Sequence, residues 1–167
     1  MKIAAIAFTS VAYLASLIPA ADAVVSYQDQ AIAAHNSARA QYGAGPLIWD
    51  SSKLPSIGLF IHQCSFNHTK GPYGENLFKT TNLNLGIYDA VWAWMTEVSN
   101  YDYARPGPSS PGNFTQVVWK NSTRVACAQV PCPAGSLVPE ASLFTVCRYT
   151  LPGNIAGQYA QNVGQHV

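Results

Sequence analysis

The sequence predicts a mixed α+β fold, with helices through its first two-thirds and strands near its end. Three observations carry this. Ala31, His35, Ala38 and Tyr42 recur at helical spacing. Ile87, Val91, Trp94, Met95 and Val98 form a second, stronger helical stripe. Arg124 to Val130 and Leu143 to Tyr149 instead alternate with period two, as strands do, and a Pro/Gly-containing loop joins them.

Taken in order, the chain starts with Lys2, an apolar run from Ile3 to Ile18, Pro19 and then Ala21-Asp22-Ala23. A positive start, a short apolar run and a small-x-small site make residues 1–23 a secretory signal peptide. The run is shorter than the roughly 20 residues a membrane span needs. No later stretch is longer, so residues 24–167 are expected to form one soluble, extracellular domain. Ser26 with Asp29 opens the first helix and Gly43 ends it. A second helix is expected from about Ser52 to Cys64, with Leu54, Ile57 and Ile61 inward and Pro55 in the first turn. Lys70 to Leu85 reads as loop. The third helix carries the Ile87 stripe. Arg105 to Gly112 is dense in Pro, Gly and Ser and reads as irregular. Phe114 to Trp119 fits helix or strand equally well.

Composition narrows the class. Charged residues make up 10% of the chain, against about 25% in an ordinary domain, so ion-pair networks are not the main stabiliser. The net charge of +1 excludes the basic surface that nucleic-acid binders need. Cys64, Cys127, Cys132 and Cys147 behind a signal peptide read as two disulfides, with three pairings open. Their spacing matches no common zinc motif. Asn67, Asn113 and Asn121 each begin an Asn-x-Thr sequon.

Four local patterns remain: His35-Asn36-x-x-Arg39 with Pro46-Leu47-x-Trp49-Asp50; Gly74-Glu75-Asn76-Leu77; Asn113-Phe-Thr-Gln-Val-Val-Trp119; and Val146-Cys147-Arg148-Tyr149 leading to Gly153-Asn154. In these the chain resembles the superfamily of cysteine-rich secretory, antigen 5 and pathogenesis-related group 1 (CAP) proteins. All four signature motifs occur in the family's order, and the overall form is that of short, tail-less fungal and plant members. The resemblance implies a three-layer αβα sandwich with a central antiparallel sheet. It also implies the pairings Cys64–Cys132 and Cys127–Cys147, the second of which suits the two late strands. With no hinge or Cys-rich extension, channel-blocking action is not expected.

In that family a central cleft holds two His and two Glu. By resemblance, His68, Glu75 and Glu97 carry over, while Asn113 stands where a second His is usual. Carboxamides are poor ligands for zinc or copper. His68 is thus a weak metal candidate, no cofactor is expected, and the metal-activated water a hydrolase would need lacks its metal. The competing reading makes these four residues a buried hydrogen-bond network. His35, Asn36 and Arg39 read as scaffold that bonds neighbouring backbone. A glycan on Asn113 would fill the cleft mouth, and the site is expected to be too enclosed for one.

The resemblance also implies lipid as cargo. Several family members bind sterols through an aromatic loop after the third helix. Here Tyr101 and Tyr103 match it, and Pro108 stands where another aromatic is common. Losing a flat aromatic face costs contact area, so sterol binding is expected to be weakened or lost. Tyr101 and Tyr103 equally suit simple loop packing. A second implied site is an acyl groove between the first helix and the third or fourth. The first helix has Ala31, Ala33, Ala34, Ala38 and Ala40, which leave room for an acyl chain or permit plain close packing. The expected function is a secreted, non-enzymatic, pathogenesis-related-type module that binds a sterol or fatty acid. The alternative is an interaction protein that meets a host protein or cell-wall component without lipid.

Overall fold

The computed structural model describes residues 25–108 and 112–167; the expected signal peptide lies outside them. Helix α1 (Tyr27–Ala40) starts at Ser26, whose hydroxyl accepts the Asp29 backbone N–H at 3.1 Å. Gly43, at φ +62°, supplies the left-handed turn after it. Strand β1 (Ile48–Trp49), helix α2 (Leu54–Ile61), strand β2 (Gly74–Thr80) and helix α3 (Ile87–Thr96) follow. Helix α4 (Gly112–Val117), strands β3 (Arg124–Cys132) and β4 (Ser142–Thr150) and a last turn α5 (Tyr159–Asn162) complete the chain.

The strands form one sheet in the order β1-β3-β4-β2. β3, β4 and β2 pair antiparallel, as expected; the two residues of β1 pair parallel to β3 at the edge. Alternation sorts the side chains. Val125, Cys127, Cys147 and Tyr149 join a core built with α1, α3 and α4, whereas Ala126, Phe144 and Val146 meet Ile57, Phe60 and Ile61 of α2 on the opposite face. Helices therefore cover both faces and the architecture is the expected αβα sandwich. Among the described residues, no helix is long and apolar enough to cross a membrane.

Both implied disulfides are present. Cys127 and Cys147 lie directly opposite each other on β3 and β4, while Cys64–Cys132 ties the chain after α2 to the end of β3. Closing loops of 68 and 20 residues restricts the unfolded chain by about 4 and about 3 kcal/mol in the chain-entropy model.

Three expectations need correction. Lys70 to Leu85 is not all loop, because β2 occupies its middle. That strand is covered on both faces, with Leu77 packed towards α2 and Phe78 towards α1 and α3, and Asn76 is fully buried among them. Two-sided burial and an inward Asn erase the alternation that marks a half-exposed strand. The second helix is shorter than Ser52 to Cys64, with a 3-10 turn at Ser51–Lys53 before it. Ile57 and Ile61 point inward as expected, but Leu54 is exposed because it starts α2 just beyond that turn. The undecided segment at Phe114 is helical.

Candidate functional site: a polar cleft and an apolar groove

The motif residues of α1 turn out to be scaffold. His35 is fully buried; its Nδ1–H donates to the Ala31 carbonyl at 2.7 Å, and Nε2 accepts from the Tyr149 hydroxyl at 2.8 Å. Burial, together with the nearby Arg39, pushes its pKa down to about 4, against the opposing effect of the Ala31 bond. Asn36 clasps the Leu47 backbone through both its amide atoms. Arg39 donates to four carbonyls, those of Gly45, Val117, Trp119 and Ser122, at 2.7–3.0 Å. His35 also lies near Cys127 and Cys147. Those sulfurs are bonded to each other, so the cluster is not a metal site.

The central cleft has a volume of about 350 Å³ and a polar lining that includes His68, Thr69, Glu75, Asn113, Gln116 and Asn154. His68, Glu75 and Asn113 thus come together, and Glu97 stands behind Asn113. Each carboxylate is already committed. Glu75 Oε1 accepts from Thr69 N at 2.8 Å and faces His68 Nδ1 at 3.3 Å; Oε2 accepts from Thr69 Oγ1 at 2.7 Å and Arg148 Nε at 3.0 Å. Burial raises the Glu75 pKa, and these hydrogen bonds outweigh it, leaving the group below the ordinary carboxylate range. Glu97 accepts from the Asn113 side chain at 2.7 Å and from the Asn113 and Phe114 backbone N–H groups at 3.1 and 3.0 Å. It thereby satisfies the first turn of α4.

This donor set does not fit a transition metal. The Asn113 amide N–H donates to Glu97 and a carboxamide oxygen is a poor transition-metal ligand, while each Glu carboxylate already accepts three hydrogen bonds from N–H or O–H donors. His68, 64% exposed on its side chain, is left as a lone imidazole. The arrangement can hold the cleft floor rigid and bind small polar groups.

Several cleft residues had no assigned role although their motifs were in view. Gln116 accepts the Gly153 N–H at 2.8 Å and donates to Ser122 Oγ at 3.0 Å. A Cβ on Gly74 would overlap its carboxamide, so the glycine of the Gly-Glu-Asn pattern is needed for close approach. Arg148 stacks over Tyr73 at 4.3 Å while bonding Glu75. Asn154 takes φ +58° and donates to the Gly112 carbonyl at 2.8 Å. Their motif positions were the available signal; a role needed the contacts.

The aromatic loop faces inward. Tyr101 is buried and packs edge-on against Tyr103 at 4.7 Å and near Phe114 at 5.7 Å. The Tyr103 hydroxyl donates to the Gly164 carbonyl at 3.1 Å, and Pro108 is exposed. Tyr101 is thus committed to the core, Tyr103 is half-buried, and Pro108 alone of the three is exposed.

A larger concavity, about 570 Å³, runs between α1 and α3. Ala34 and Ala38 give it depth, and Tyr42, Val91 and Met95 line it with Trp92 and Tyr88 at its rim. Trp92 is 70% exposed and Tyr88 51%. Both fall off the buried stripe of α3, on the face where an ordinary amphipathic helix carries polar residues. That misplacement was legible in the sequence.

A family model described as the cysteine-rich secretory protein family matches residues 32–149. Pathogenesis-related protein 1 of Arabidopsis thaliana is 38% identical over 88% of this chain and 89% of its own length. Among solved structures, BmVAL-1 superposes with a TM-score of 0.68 at 17% identity, covering 88% of this chain and 87% of that one. A structure of NaASP2 with Zn2+ gives 0.64 at 20% identity, over 83% and 86%. At such identities these two show the fold alone.

Proposed function

The chain belongs to the cysteine-rich secretory protein family, and from that premise we propose that it acts as a secreted, pathogenesis-related-type module binding a small apolar ligand between α1 and α3. The observation that carries this is the groove itself. Its volume of about 570 Å³ falls in the range of small-ligand sites, and the exposed Trp92 and Tyr88 extend its apolar surface, as interaction sites do. Of the α1 alanines, Ala34 and Ala38 line the groove, which supports room for an acyl chain there, while Ala31 is packed in the core. The relative's name points to a role in defence or host–microbe contact.

Sterol is not the preferred cargo. Tyr101 is spent on the core, Tyr103 on Gly164, and Pro108 offers no flat ring. Turnover is not proposed either: the cleft's carboxylates are occupied, and zinc, which the NaASP2 structure carries, has a single imidazole to meet here. The Asn113 sequon is read as unglycosylated, since its side-chain nitrogen is bound to Glu97, while Asn67 and Asn121 are exposed.

Extraction of the purified secreted protein with organic solvent, followed by mass spectrometry, tests the reading. Recovery of a near-stoichiometric single-chain lipid is expected. Absence of lipid, with no uptake on incubation with labelled lipids, would leave the interaction-protein alternative, for which partner capture would be the next step.

A further inference from the structure

Among the residues lining the α1/α3 groove there is one charged side chain, Asp89, and no Lys or Arg. Asp89 sits in the first turn of α3, where its Oδ2 accepts the Gly86 N–H at 2.7 Å. Its Oδ1 has no hydrogen-bond partner among the described residues. On either side in sequence, one turn apart on the helix, stand the two exposed rings Tyr88 and Trp92, which line the same groove. A carboxylate beside two accessible aromatic faces, with no Lys or Arg among the described residues that line the groove and His166 packed against Tyr42, is the chemistry that receives an ammonium group. It repels a free carboxylate, since like charges at a partly desolvated site oppose binding.

Resting on the reading of the groove as a ligand site, the geometry points to its ligand class: a single-chain amphiphile with a cationic ammonium head, its apolar tail along Ala34, Ala38 and Val91 and its head at Asp89, Tyr88 and Trp92. The polar rim residues Ser37, Gln41 and Thr96 accommodate the small hydrated shell such a head keeps, and none of them supplies a positive charge for an anionic head.

Three probes of one chain length separate tail from head: dodecyltrimethylammonium and dodecanoate, each below its micellar concentration, and dodecan-1-ol, below its solubility limit, all titrated with the purified chain by calorimetry. The ammonium is expected to bind at least about tenfold more tightly than the carboxylate, equivalent to about 1.4 kcal/mol. Raising the salt concentration shrinks that ratio. Asp89→Asn keeps an oxygen for the Gly86 N–H, so the start of α3 survives. It is expected to bring the two charged probes within about twofold of each other while leaving dodecan-1-ol unchanged. Dodecanoate binding as well as the ammonium, or a ratio that Asp89→Asn leaves untouched, overturns the head-group assignment and spares the groove. Failure of all three probes to bind overturns both.

Discussion

Asn113 replaces a ring nitrogen with an amide whose hydrogens point at Glu97. The consequence is testable by reversing it. Asn113→His places a second imidazole in the cleft beside His68, and zinc affinity measured by calorimetry is expected to rise at least about tenfold, because neutral imidazole is a far better ligand than a carboxamide. Equal, tight binding by both proteins would show that Asn113 does not limit the site. Arg39 shows a different use of one residue. Its guanidinium is fully buried and spread over four carbonyls. Lys has fewer donors and no planar fork, so Arg39→Lys leaves buried acceptors unmet. A loss of about 3 kcal/mol in urea unfolding is expected on the scale of such groups.

Helix α4 illustrates how an element too short to be stable alone is held. The Glu97 carboxylate accepts the N–H groups at its start, and the Arg39 guanidinium meets the Val117 carbonyl at its end. Both charges have the sign that the peptide dipoles favour. Glu97→Gln keeps an acceptor but removes the charge, and a loss of about 1–2 kcal/mol is expected from denaturant titration; no change would mean the cap is dispensable. This support comes from residues far away in sequence, which is why the Phe114 segment fitted helix and strand alike when read locally. Similar reasons explain what else was hidden. The stripes of α1 and α3 were legible because each has one wet face. β2 was not, because it is buried on both sides around Asn76. His68, Glu75, Glu97 and Asn113 were recognisable from their motifs, but that Asn113 donates to Glu97 depends on the crossing of α3's end with α4. The groove's rim was present in the sequence as Tyr88 and Trp92, the two large aromatics outside the apolar stripe.

Across the whole molecule, two disulfides and two buried polar clusters stand in for the scarce surface charge. This makes the fold sensitive to acid. Native His35 has a pKa near 4 against an ordinary 6.5. As pH falls through that window, the unfolded chain takes up a proton that the native chain refuses. Stability therefore declines from pH 6.5 towards 4 by up to about 3 kcal/mol and then levels off for this group. Glu75, held below its usual value, adds a loss of the same sign as pH falls below the ordinary carboxylate range. Urea midpoints at pH 7 and pH 4.5 should differ accordingly; a flat profile would contradict a neutral, buried His35. Binding at the open face between α1 and α3 can be tested by filling that face. Ser37 is exposed on the groove wall, so Ser37→Trp fills the groove without entering the core. Binding of dodecan-1-ol to the native chain, with a loss of at least about tenfold in Ser37→Trp at unchanged unfolding midpoint, is the expected result. Equal binding by the two proteins would contradict binding at that face and place the ligand elsewhere on the molecule.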